Sequence, residues 1–146
     1  EKVFEQMRPL FSMLGTGIQY MGEAGSGQHT KACNQIAVAG AVAAMSEALV
    51  YARAVGLDEQ KMLTAIAKGA AGSWQIDNTA PRVLANDFAP GFYIKHFIKD
   101  MHIVQQEMEQ QDVHLDMLEA VCNMYEALAG MGEENNGTQA LVHYYK

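Results

Sequence analysis

A chain of 146 residues with 49% hydrophobic and 18% charged residues can bury a real core, and it carries too little charge for disorder driven by self-repulsion. Ten Lys+Arg against seventeen Asp+Glu give a net charge of −7, and without a basic cluster nucleic acid is excluded as a natural partner. The longest strictly apolar run, residues 36–45, falls well short of the roughly 20 residues a bilayer span needs, so no membrane partner is expected.

The first residues, Glu1-Lys2-Val3-Phe4-Glu5, do not form the basic and apolar regions of a signal peptide. The missing initiator Met reads as the mark of a piece of a longer protein. Residues 2–14 read as a helix with Val3, Phe4, Met7, Leu10, Phe11 and Leu14 on one side, and Pro9 is expected to kink or restart it. Residues 18–21 are short, apolar and partly aromatic, the one credible strand, which needs partners from outside this chain.

A glycine-rich turn at residues 22–27 precedes a long helix over about 28–55. No charged residue lies between Lys31 and Glu47, so this helix is expected at the centre of the domain, enclosed on all sides. Gly56 should stop it, and Asp58 should cap the next helix, which ends near Gly69. A segment from Ser73 is broken by Pro81 and again at Pro90-Gly91. Helices follow over about 93–111 and 115–130, then a polar turn, and residues 138–145 form a short terminal helix. The tally is six or seven helices with no sheet, an all-α class. Cys33 and Cys122 stand in apolar helical patterns without metal-ligand spacing, which predicts reduced, buried thiols in a cytoplasmic protein.

Lys31 is the residue with the most chemical promise. It lies about one turn into the long helix, where the helix dipole disfavours a cation and partial burial favours the neutral amine, as a general acid/base at neutral pH requires. Asn34 and Gln35 follow at spacings of three and four and could hold a carbonyl or carboxylate. The plain alternative is a lysine that reaches the surface and does nothing. Gly25-Ser26-Gly27 could present backbone N–H groups to an anion or simply make a tight turn. Lys99-Asp100 reads as a solvated face, with Asp100 the local partner of Lys99. Trp74 is either a core anchor or a pocket wall. His29, His96, His102, His114 and His143 have no metal-binding companions in sequence, so no metal site is expected.

Together these residues resemble the β-hydroxyacid dehydrogenases, a family that includes 3-hydroxyisobutyrate dehydrogenase and tartronate semialdehyde reductase, with 6-phosphogluconate dehydrogenase more distant. The resemblance rests on Gly22-x-x-Gly25-x-Gly27-x-x-x-Lys31-x-x-Asn34-Gln35, then Gly69-x-x-Gly72-Ser73-Trp74, Asp87-Phe88-x-Pro90-Gly91-Phe92 and Lys99-Asp100-Met101, in order and over essentially the whole chain. It implies a 6-phosphogluconate-dehydrogenase-like helical C-terminal domain over 25–146, with residues 1–24 the tail of a Rossmann domain. It implies Lys31 as the catalytic acid/base, Asn34, Trp74 and Asp100 as substrate-binding residues, and Lys99 as a cofactor contact. Many members have a second Asn where this chain has Gln35. The implied cofactor is NAD or NADP, held mostly by the Rossmann domain. The implied partners are a small hydroxyacid or its semialdehyde, the Rossmann domain itself and a second copy of the chain. The piece alone is then expected to be inactive. The rival reading is a non-catalytic helical dimerisation or interaction module, which a long apolar helix over 36–54 would also suit.

Overall fold

The computed structural model describes residues 1–145, which fall into two compact units, Glu1–Cys33 and the remainder from Asn34. Among the described residues the secondary structure is helical, without strands and with one isolated bridge between Tyr93 and Gly137.

In the first unit, α1 spans Lys2–Phe11. It neither breaks nor restarts at Pro9. Proline's missing N–H removes only one bond this close to the end, and the chain turns out of the helix after Phe11 rather than at residue 14. None of its residues is buried. Phe4 meets the rings of Phe11 at 5.7 Å and Tyr20 at 5.4 Å. The strand expected at residues 18–21 is absent, because an extended segment needs a neighbour to complete its hydrogen bonds and this chain gives it none. Gly25, at φ +98°, takes the chain through a backbone conformation closed to most residues and directly into α2, Ser26–Ala54.

The second unit starts within α2. Gln35, Ala39, Val42, Met45, Ser46, Leu49 and Ala52 are its buried residues, a single stripe at helical spacing. The expected enclosure on all sides is therefore wrong: Ala37, Ala44, Glu47 and Tyr51 are exposed. Alanine explains the error, since it makes a helix apolar through the strongest helix propensity rather than through a need for burial. By length and composition α2 could also cross a membrane, but a one-sided stripe holding Gln35 and Ser46 is the pattern of a core helix.

Gly56 stops α2 as expected. At φ +73° it lets Leu57 N–H reach back to the Ala52 carbonyl at 2.9 Å. Asp58 caps α3, Glu59–Ile66, its carboxylate accepting from Lys61 N–H at 2.8 Å. A π-helical stretch, Gln75–Thr79, runs into α4, Ala80–Leu84. Pro81 sits in the first turn of α4, where the π-helical stretch gives way to α-helix, so the helical backbone continues through it instead of breaking there.

The core is built where α5, Ile94–Glu109, packs on α6, Asp116–Gly130, and α6 on a terminal 3-10 helix, Thr138–Tyr145. Ile94, Phe97, Met101 and Val104 of α5 face Leu118, Val121, Tyr125 and Leu128 among the buried residues of α6. Ala140, Leu141 and Val142 of the terminal helix are buried as well.

Candidate active site

Lys31 lies on α2 in the first unit, and its expected partial burial is absent: the residue is exposed. Asn34 and Gln35 follow on the same helix and belong to the second unit. There the structure assembles a polar chain. Asn34 Nδ2 donates to Gln35 Oε1 at 3.1 Å, and Gln35 Nε2 donates to Asp100 Oδ2 at 2.9 Å. Lys99 Nζ pairs with Asp100 Oδ1 at 3.1 Å.

The members of this chain differ in what they can do. The Asp100 side chain is 5% exposed and that of Lys99 is 62% exposed, so the carboxylate is a buried anchor and the ammonium remains available to solvent. Asp100, expected to touch substrate, here holds two other candidate residues in place. Gln35, 7% exposed, is the link between Asn34 and Asp100. Asp100→Ala leaves the Gln35 amide without this acceptor, and its expected cost is about 1–3 kcal/mol of stability. Asp100→Asn keeps an acceptor oxygen and is expected to recover most of that loss in thermal melts of the whole protein.

Trp74 is not a core anchor. It precedes the π-helical stretch with 68% exposure, and its carbonyl accepts from Asn78 Nδ2 at 3.1 Å. The hydrogen-bonded group at Asp100 does not include it. Cys33, expected to be buried, is exposed because the buried stripe of α2 starts at Gln35, whereas Cys122 is buried as expected.

The segment from Asp87 to Phe92 has a clear structural task. Arg82 Nε donates to Asp87 Oδ2 at 2.8 Å, and the Ala89 N–H donates to Asp87 Oδ1 at 3.1 Å. The guanidinium first, and then the backbone donor, hold the Asp87 carboxyl below the usual carboxylate range. Gln139, 3% exposed, donates to the carbonyls of Asp87 and Ala89, both at 3.0 Å, and Gly137 N–H donates to the Phe88 carbonyl at 2.9 Å. Ile94 N–H reaches the Asn136 carbonyl at 3.0 Å. These bonds fix the start of α5, and so the turn that presents Lys99 and Asp100. Nothing local in the sequence reveals Gln139, which acts about fifty positions away from its partners.

A hollow of about 190 Å³ between the end of α5 and the start of α6 is lined in part by Met108, Val113, His114 and Leu115. It contains none of the candidate residues. The structure also brings His102, Cys122 and Glu126 together, with ligand-type atoms within 4.8 Å of one another, a grouping the sequence reading did not anticipate.

Residues 25–145 match the family described as the NAD-binding domain of NADP-dependent 3-hydroxyisobutyrate dehydrogenase. An uncharacterized oxidoreductase, YkwC of Bacillus subtilis, is 49% identical over 97% of this chain and 49% of its own length. A mitochondrial protein of Arabidopsis thaliana, designated a probable 3-hydroxyisobutyrate dehydrogenase-like 1, is 42% identical over 97% of this chain and 42% of its own. The chain thus spans about half the length of the curated relatives it matches. The solved 3-hydroxyisobutyrate dehydrogenase of Mycobacterium tuberculosis, captured with L-serine, superposes with a TM-score of 0.91 at 24% identity, over 100% of this chain and 52% of that one. At that identity the likeness is one of fold. With the family match covering residues 25–145, the chain belongs to the 3-hydroxyisobutyrate dehydrogenase NAD-binding domain family.

Proposed function

We propose that this chain is the helical, substrate-completing part of an NAD(P)-dependent dehydrogenase that interconverts a small 3-hydroxyacid and its semialdehyde. In this reading the helical part, from about residue 25, has the fold of the 6-phosphogluconate dehydrogenase C-terminal domain, and residues 1–24 belong with a Rossmann domain. The observation that carries the reading is the Asn34–Gln35–Asp100–Lys99 chain, which places amide and ammonium donors around one buried carboxylate within the matched family region.

Lys31 is the general acid/base. It takes the proton from the substrate hydroxyl during oxidation and returns it to the carbonyl oxygen during reduction. Asn34 orients the substrate through its amide, and Gln35 passes the rigidity of Asp100 to it. Trp74, exposed in this chain, walls the substrate site from outside the polar chain. Lys99, with an exposed ammonium steadied by Asp100, fits an anionic cofactor. The nicotinamide cofactor, when bound, supplies or accepts the hydride. The chain alone is inactive in this reading, since its residues complete a cofactor site without enclosing one.

The test is hydride transfer by the whole protein against a panel of small 3-hydroxyacids with NAD and with NADP. Turnover with at least one such substrate is the expected result. Activity on 2-hydroxyacids or plain alcohols alone would overturn the substrate class.

A second reading, a helical interaction module without catalysis, is favoured by the uncovered side of α2, where Ala37, Ala44 and Tyr51 are exposed. It predicts self-association with no turnover, so the same panel separates the two.

A further inference from the structure

The packing of α5 on α6 creates a second group of reactive side chains, separate from the Asp100 chain. His102 comes from α5, and Cys122 and Glu126 come from α6, where a spacing of four puts them on one face. His102 Nε2 lies 2.7 Å from Glu126 Oε1, and these two atoms and the Cys122 sulfur all fall within 4.8 Å of one another.

We propose that His102, Cys122 and Glu126 form a binding site for a divalent transition-metal ion, best suited to Zn²⁺ and open to one further ligand. The donor set is the first argument. Thiolate, imidazole and carboxylate together select a borderline ion such as Zn²⁺ or Co²⁺ over Mg²⁺ or Ca²⁺, which take oxygen ligands. The second argument is span. Ligands about 2.0–2.3 Å from a shared tetrahedral ion lie roughly 3.3–3.8 Å apart. The outer separation of 4.8 Å exceeds that span by only about 1 Å, and the 2.7 Å His102–Glu126 pair would open slightly to admit the ion. The third is access. Cys122 is 1% exposed and forms the floor, whereas the His102 and Glu126 side chains are each 46% exposed and form the mouth. An ion enters from solvent at that mouth, and its fourth position faces water.

Without metal, the imidazole and carboxylate share a hydrogen bond and the sulfur stays a thiol. Burial, and secondarily the charge of Glu126, pushes that thiol up to about 11. Binding must therefore expel the thiol proton to the solvent, which makes the affinity rise with pH. A bound ion would cross-link α5 to α6 one turn after Lys99, on the helix that carries it.

The experiment is a Co²⁺ titration of the reduced whole protein, with any sequence preceding Glu1 retained, followed by absorption. The expected result is one equivalent bound, with an ultraviolet sulfur-to-cobalt charge-transfer band and the intense visible bands of tetrahedral Co²⁺, both removed by Zn²⁺. Cys122→Ala should abolish the charge-transfer band, and Cys33→Ser should leave it intact. His102→Ala changes a half-exposed residue outside the buried core. It should melt like the parent in chelator and bind Co²⁺ at least about tenfold more weakly. No thiolate band, a band that survives Cys122→Ala or vanishes with Cys33→Ser, or unchanged affinity in His102→Ala would each overturn the site.

Discussion

On the proposed dehydrogenase reading, Lys31→Met in the whole protein is expected to lower kcat for hydroxyacid oxidation by about 10²–10⁴-fold, the usual worth of a positioned general acid/base. That range corresponds to about 2.7–5.4 kcal/mol of transition-state stabilisation. Lys31 is exposed in this chain, so the substitution opens no cavity here. Lys31→Arg is the sharper control. It keeps the positive charge, but a guanidinium does not give up its proton near neutral pH, so charge without proton transfer should not restore turnover. The loss should fall mainly on kcat, with KM little changed if Asn34 still orients the substrate. Near-normal turnover in Lys31→Met would remove the catalytic reading and favour the interaction module. A loss that Lys31→Arg repairs would reduce Lys31 to an electrostatic contact.

What the sequence made legible was local. Asp58 caps α3 because a carboxylate three residues before a free N–H reaches it whatever the rest of the chain does, and Gly56 ends α2 through its own backbone. The helices expected over about 93–111 and 115–130 are α5 and α6, where Phe97, Met101 and Val104, and Leu118, Cys122, Tyr125 and Leu128, recur at helical spacing. What was hidden depends on partners distant in sequence. Gln35 finds Asp100 across 65 positions, so the buried role of that carboxylate could not be read from Lys99-Asp100 alone. The four-residue step from Cys122 to Glu126 is visible, but His102 on another helix is not. The strand at residues 18–21 and the enclosure of α2 failed for one reason: both expectations required neighbours, and apolar composition cannot supply them. Trp74 is the same lesson on a single side chain, a large ring that is 68% exposed.

Phe97→Ala is expected to weaken the α5–α6 core by about 3–5 kcal/mol, the range for removing a buried aromatic ring. Phe97 and Tyr125 are both fully buried, with ring centroids 5.3 Å apart and an interplanar angle of 72°. That edge-to-face contact is worth roughly 0.5–1.5 kcal/mol beyond the area the rings bury. Tyr125 adds a second tie, since its hydroxyl donates to the Thr138 carbonyl at 2.8 Å and so fastens α6 to the terminal helix. Tyr125→Phe should therefore cost only about 0.5–1.5 kcal/mol, while Tyr125→Ala should approach the cost of Phe97→Ala. The double alanine variant should lose less than the sum, because each single change already forfeits the shared contact. The measurement is native-state hydrogen exchange on the whole protein, read at α5 and α6 amides, which isolates this core from events elsewhere. Opening energies there should fall by the stated amounts. The consequence for chemistry follows from the helix itself: Asp100 lies three residues after Phe97, so a ring that no longer seats α5 also loosens the carboxylate that holds Gln35. Phe97→Ala should thus reduce turnover without touching substrate. A fall of under about 1 kcal/mol at α5 would show that other contacts, not this ring pair, seat the helix.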